Sequence, residues 1–103
     1  EDFMFEKCSA VLKMTSVFLE DEPLDRTEYT CTVSRYDEEG ERIYLVMNGE
    51  DITRISLDAE YSCTLMAEEE LVCQGRVKER FLDKNGSQLV FGIENGFYKN
   101  NLN

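Results

Sequence analysis

Apolar and polar residues alternate with a period of two in one segment of the chain after another. The apolar members of these segments are Tyr29, Cys31 and Val33; Ile43, Leu45 and Met47; Tyr61, Cys63 and Leu65; Leu71, Cys73, Gly75 and Val77; and Leu89, Phe91 and Ile93. Successive side chains of a strand point to opposite faces, so this period predicts strands with one buried face. The pattern predicts at least five strands and few helices.

Turn signals separate these segments. The acidic stretch DEEG at residues 37–40 divides the first two, and Asn48-Gly49 marks a reversal after the second. Residues 52–57 are expected to form a short connecting piece. Asn85-Gly86 divides the last two segments and favours a type I′ hairpin turn. Two long hairpins are therefore expected.

Residues 8–19 fit two patterns. A strand would bury every second residue from Cys8 to Met14, whereas a helix would bury Val11, Met14 and Phe18. We favour the strand. The acidic stretch that follows, residues 20–25, contains Pro23. Proline has no backbone N–H to donate to a neighbouring strand, so this stretch is predicted to be a loop.

Each predicted strand has one apolar face, and so many apolar faces can be buried only if the sheet closes into a barrel or stacks on a second sheet. The pattern therefore predicts a small antiparallel split barrel of about six strands. The 103 residues are enough for one domain, spanning 1–103, with a core of its own. Because the chain begins with Glu1, we expect it to be part of a longer protein.

The charge of the chain limits its partners. Eleven basic and 22 acidic residues give a net charge of -11, which repels nucleic-acid backbones and anionic membrane surfaces. No apolar run approaches the ~20 residues that a membrane span requires. We expect binding to neither nucleic acid nor membrane.

Cysteine usage points to the cytoplasm. The four cysteines contain no C-x-x-C pair and the chain has no histidine, which argues against a zinc site. Three of them alternate with polar neighbours, as buried free thiols in strands do.

The acidic clusters at residues 20–22, 37–39 and 68–70 lack the calcium-loop pattern. No catalytic motif is present, so we expect neither an enzyme nor a metal or other cofactor.

The segment RVKERF, residues 76–81, concentrates positive charge in this acidic chain. On a regular strand Arg76, Lys78 and Arg80 would form a ridge about 13 Å long on one face. The ridge is a candidate site for docking a ligand or partner, and the alternative is that the three cations pair with carboxylates across strands. Glu79 falls on the buried face, which suggests a bulge or the barrel rim.

Residues 27–81 resemble the N-terminal split-barrel domain of flagellar brake proteins, which precedes a PilZ domain in many bacterial cyclic di-GMP effectors. Gly75, Val77 and Arg80 in CQGRVKERF stand where that pattern has a small residue, a core residue and an exposed cation. The resemblance implies a non-enzymatic regulatory or protein-interaction domain of bacterial signalling, with another protein or an adjacent domain as its partner.

The PilZ ligand motif itself matches only in part. Arg76 and Arg80 satisfy its Arg-x-x-x-Arg half, but Val90 stands where the downstream half requires glycine. We therefore expect no cyclic di-GMP binding by this domain alone. The alternative is a small ligand-binding barrel with a divergent cyclic dinucleotide site. Phe97 and Tyr98 are candidates either for an interface or for packing over the open end of the barrel.

Overall fold

The computed structural model describes residues 5–19, 23–49 and 51–99. Its elements are β1 (Ser9–Val17), β2 (Glu28–Asp37), β3 (Arg42–Met47), a 3₁₀ helix (Ile52–Arg54), β4 (Ala59–Met66), β5 (Glu70–Asp83) and β6 (Gly86–Lys99). The strands close into an antiparallel barrel in the order β1-β2-β3-β6-β5-β4. The predicted all-β barrel of about six strands is confirmed.

The ambiguous first segment is a strand. Ala10, Leu12 and Met14 are buried at every second position of β1. The strand pairs with β2 on one side and with β4 on the other, so it is part of the barrel wall. A helix would have left β2 and β4 without the neighbour that closes the barrel.

The core consists of the alternating residues that the sequence pattern selects. Tyr29, Tyr61 and Phe91 are its largest fully buried side chains. Within the described ranges no polar or charged side chain is buried. The barrel interior is therefore a packed apolar core.

The β5–β6 pair departs from a regular ladder at several points. An added Cβ at Gly75 would lie 1.9 Å from the carbonyl oxygen of Gly92, so only glycine fits between these backbones. The register also shifts between Val77 and Glu79, which are opposite Phe91 and Val90. This bulge at Lys78 decides where the following side chains point.

The β5–β6 turn differs from the predicted type I′ turn. Asp83 pairs with Gly86, so the turn residues are Lys84 and Asn85, and neither has a positive φ. A type I′ turn requires a positive φ at both positions. The positive φ, 112°, belongs to Gly86, and the Asp83 carboxylate accepts a 2.8 Å hydrogen bond from the Asn85 backbone N–H. This carboxylate bond stabilises a turn in which Gly86 follows the two central residues, whereas in the predicted turn Gly86 would be the second of them.

None of the four cysteines forms a disulfide. Cys31, Cys63 and Cys73 are buried as the alternation predicts, and Cys8 is half-buried. Cys63 and Cys73 are directly opposite on β4 and β5, and the hydrogen bond with Cys73, together with burial, raises the pKa of the Cys63 thiol well above its ordinary value. This thiol remains protonated at neutral pH.

Two further structural findings concern membranes and metals. No helix among the described residues is long and apolar enough to cross a bilayer. In the same part of the chain, no three His, Cys, Asp or Glu side chains are grouped so that they could hold a metal ion.

Candidate functional site

The bulge at Lys78 divides the three cations of β5 between two faces. Residues directly opposite each other in antiparallel strands project from the same face. Arg80 is opposite the buried Leu89, so it projects from the inner face where the barrel ends. Arg76 precedes the inward-facing Val77 and projects from the outer face. The predicted single ridge is therefore wrong, whereas the bulge suggested by Glu79 is confirmed.

Arg80 binds the backbone of the β3–β4 connection. Its Nη1 donates hydrogen bonds to the carbonyl oxygens of Thr53 at 3.1 Å and Ile52 at 3.3 Å, and also to that of Ile55. These carbonyls lie at the end of the 3₁₀ helix, where the Ile52 carbonyl also accepts a 3.1 Å hydrogen bond from the Ile55 backbone N–H. The guanidinium group thus caps the helix and holds it over the barrel end.

The connection closes the barrel at this end. Ile52 and Ile55 insert into the core, and the Tyr61 hydroxyl accepts a 3.0 Å hydrogen bond from the Ser56 backbone N–H. The Asp51 carboxylate accepts a 3.0 Å bond from the Thr53 N–H and so caps the start of the helix. Apolar insertion and backbone hydrogen bonds together keep the connection in place.

Arg76 anchors the far part of the same connection. Its Nη2 donates to the Leu57 carbonyl oxygen at 3.2 Å, and its guanidinium carbon lies 4.9 Å from the centre of the Phe18 ring. The Phe18 N–H donates to the Asp58 carbonyl oxygen at 2.9 Å. The side chains of Phe18 and Leu57 are 52% and 38% exposed. We call the contiguous surface of Phe18, Leu57 and Arg76 the Arg76 patch.

Lys78 is the cation of this segment that the protein uses least. Its side chain is exposed, and its stem runs so close to Gly92 that an added Cβ there would lie 2.6 Å from Cε. In the described residues the ion pairs are Arg35–Asp37 and Arg54–Asp25, both at 3.7 Å. The alternative interpretation, ion pairing of the three β5 cations with carboxylates, is therefore not seen there. Whether Arg76, Lys78 and Arg80 dock a partner stays a prediction.

A second polar cluster, which sequence reasoning missed, lies at the same end of the barrel. The Tyr29 hydroxyl donates to Asp25, and Arg54 donates to the Thr27 hydroxyl at 3.0 Å. The bond from Tyr29 lowers the pKa of Asp25, and burial followed by that bond raises the pKa of Tyr29 to about 12. A phenol that holds its proton so tightly is a hydrogen-bond donor at neutral pH. This cluster ties the segment before β2 to the connection, and no motif in the sequence marks it.

Aromatic side chains close the opposite end of the barrel. The ring centres of Phe5, Tyr36 and Phe97 lie 5.3 to 5.7 Å apart, in tilted and edge-on contacts. Of the two interpretations of Phe97, packing over the open end is confirmed. The side chain of Tyr98 lies outside the described residues. We call Phe5, Tyr36 and Phe97 the aromatic trio.

The residues of the partial PilZ motif do not converge. Arg76 and Arg80 project from opposite faces and each binds a backbone carbonyl. Val90, which replaces the glycine of the motif, is buried. The two arginines thus cannot face one phosphate group in this arrangement.

Comparisons of the chain with protein-family models, with curated proteins and with solved structures return no significant match. The fold and the contacts above define a small closed antiparallel barrel in which two arginines secure one end.

Proposed function

We propose that this chain is a non-enzymatic regulatory domain that binds another protein or an adjacent domain in the cytoplasm. The proposal follows the sequence resemblance to the accessory barrel that precedes PilZ in bacterial cyclic di-GMP effectors. Its partner is a protein surface. Neither a nucleic acid nor a membrane is expected, because the net charge is -11.

The observation that carries the proposal is the use of both arginines by the protein's own backbone. Arg80 donates to three carbonyls of the connection and Arg76 donates to a fourth. Binding a phosphate would require these groups to give up hydrogen bonds to exposed or partly buried carbonyls, at a cost of about 1 kcal/mol for each bond lost. The arrangement therefore supports a structural use of the Arg-x-x-x-Arg spacing.

The Arg76 patch is the surface best suited to a protein partner. It combines an exposed aromatic ring, an exposed leucine and an arginine held in one orientation. Aromatic residues and arginine are enriched in the centres of protein interfaces. A side chain that is already held in one orientation loses less conformational entropy when a partner binds. Among the described residues no polar or charged side chain is buried, so the barrel interior presents no polar side chain to a small ligand.

Site-specific photo-cross-linking in the native host tests the proposal. A photo-reactive residue replaces Leu57 in the patch, and in a matched control it replaces the exposed Glu39 in the β2–β3 turn at the opposite end of the barrel. A discrete protein adduct from position 57 but not from position 39 is the expected result. Equal adducts from both positions, or none from either, would count against a partner at this patch.

Calorimetric titration with cyclic di-GMP at low salt tests the rival, a ligand-binding barrel. No heat of binding is expected for the unmodified protein. Micromolar affinity that disappears in the Arg76→Ala/Arg80→Ala variant would replace the proposed function with the rival. Circular dichroism of that variant must show that the barrel is intact.

A further inference from the structure

Half of β5 has an open edge. β4 pairs with β5 only from Glu70 to Gly75, and beyond Gly75 the strand pairs with β6 alone. None of the backbone hydrogen bonds made by described turns and loops reaches residues 79–83. Each of these five residues is exposed, and Leu82 is 70% exposed. Alternate N–H and C=O groups of this edge are therefore available to another strand.

A second copy of the chain is a poor occupant of this edge. Two-fold pairing of identical antiparallel edges brings residues of the same face together. A register centred on Phe81 would place Glu79 opposite Asp83 of the second copy. Centring it on Leu82 would place Arg80 opposite Lys84, and centring it on Arg80 would oppose two arginines. Like charges meet in each register, so the edge is protected against self-pairing.

We propose that residues 79–83 of β5 bind, by strand addition, an extended basic segment of a partner protein. Glu79, Phe81 and Asp83 share one face of the strand, because the register is regular from Glu79 to Asp83. A complementary segment carries an apolar residue opposite Phe81 and lysine or arginine opposite the two carboxylates. The net charge of -11 attracts such a segment at long range.

This inference rests on the proposed function in assuming a protein partner, but it concerns a surface separate from the Arg76 patch. Main-chain hydrogen bonds supply the affinity in strand addition, and side chains supply the selectivity. Arg80 and Leu82 share the other face of the strand, where Leu82 is exposed and Arg80 already binds the connection. We therefore expect apolar residues at the positions of the partner segment that lie opposite these two. The simplest complementary segment is Lys-Val-Phe-Val-Lys.

The probe is a blocked peptide with that sequence, titrated into isotope-labelled protein and followed by nuclear magnetic resonance. Saturable shifts centred on residues 79–83, with slowed exchange of alternate amides, are expected. A second peptide, Lys-Pro-Phe-Pro-Lys, has the same charge but lacks two backbone donors. It should bind at least about tenfold more weakly if the edge forms a ladder.

Matched charge reversals separate local pairing from general attraction. Glu79→Lys should weaken binding by about tenfold, because attraction at one position becomes repulsion. Glu39→Lys makes the same change in net charge in the exposed β2–β3 turn and should alter affinity less than about twofold, since salt screens distant charges. Equal weakening by both variants, or equal binding of the proline peptide, would overturn strand addition.

Two other results bear on the occupant and on the proposed function. A concentration-dependent dimer in analytical ultracentrifugation that Leu82→Lys abolishes would assign the edge to a second copy and overturn the basic partner, because a lysine at position 82 would oppose a like charge in each of the three registers. Failure of the peptide to bind, together with a specific cross-link from position 57, would remove this inference and leave the proposed function in place.

Discussion

The two ends of the barrel are closed by different interactions. At one end the rings of the aromatic trio pack on each other and on the core. At the other end a connection between strands is held by arginine side chains that bind its carbonyls, and by the Asp25–Tyr29 hydrogen bond. The first end depends on apolar area, whereas the second depends on the placement of individual polar atoms.

This difference explains why the arginine spacing is misleading. An aromatic residue closes a barrel end wherever it covers apolar surface, so many arrangements suffice. A guanidinium group can cap three carbonyls only if the strand places it at one position and on one face. Arg80 reaches that position because the bulge at Lys78 turns it from the outer face to the inner face. The same residues on a regular strand would have formed a surface ridge.

The largest expected effect comes from breaking the wall that both ends share. Val77→Asp places a carboxylate opposite Phe91 in the core and should cost about 4 kcal/mol or more, close to the whole stability of a small domain. Urea unfolding followed by circular dichroism measures the loss. Lys78→Asp, at the neighbouring exposed position, should change stability by about 0.5 kcal/mol or less. An unchanged midpoint for Val77→Asp would mean that Val77 does not face the core.

The next effect isolates the arginine end. Arg80→Ala removes the side-chain donor that three carbonyls of the connection share and should destabilise the fold by about 2–3 kcal/mol. Arg76→Ala, which removes a bond to one carbonyl, should cost about 1 kcal/mol. Lys78→Ala serves as the control and should be close to neutral. Equal unfolding midpoints for Arg80→Ala and Lys78→Ala would show that the connection is held without Arg80.

A smaller effect is expected at the aromatic end. Phe97→Ala removes one ring of the trio and should cost about 1–2 kcal/mol, because the ring is only partly buried. Phe81→Ala provides a control at a phenylalanine that is 44% exposed on the open edge, and it should cost about 0.5 kcal/mol or less. Thermal unfolding of the two variants measures the difference. A larger loss for Phe81→Ala would place the closing contact elsewhere.

The smallest effects concern pH at the arginine end. The bond from Tyr29 lowers the pKa of Asp25 in the folded protein. The Asp25 carboxylate therefore stabilises the fold above its unfolded pKa of about 4, and this stabilisation is lost as the pH falls through the folded pKa. The pKa of Tyr29 is raised to about 12, so its contribution is present below the unfolded value of about 10 and is lost as pH rises through the folded value.

Asp25→Asn tests both assignments. Without the carboxylate the pKa of Tyr29 should fall from about 12 yet stay raised, because burial is the larger cause. Ultraviolet titration of tyrosinate measures the change, and the acid dependence of stability should weaken in the same variant. Asp58→Asn, at an exposed position, is the control and should leave the Tyr29 titration unaltered. A Tyr29 pKa that does not move would contradict the hydrogen bond to Asp25.

Local signals were sufficient for the strands and insufficient for the turn and the site. The alternation around Tyr61 and Cys63 predicted both the strand and its buried face, since the two-residue period is a property of the strand itself. Asn85-Gly86 correctly located a reversal but not its type, because the Asp83 carboxylate stabilises a turn shifted by one residue. Glu79 was the one local sign of the bulge, and it did not show that Arg80 would change faces.

The sequence by itself determined that this chain is an antiparallel β protein, which side of most strands faces the core, and that free cysteines belong to that core. These features follow from alternation and apolar area, which act over a few neighbouring residues. Only the tertiary structure decided what the β5 arginines bind. Arg80 reaches Thr53 and Ile55 across more than 20 intervening residues, and a single bulge reverses its direction. Such contacts depend on barrel closure and register, which no local pattern specifies.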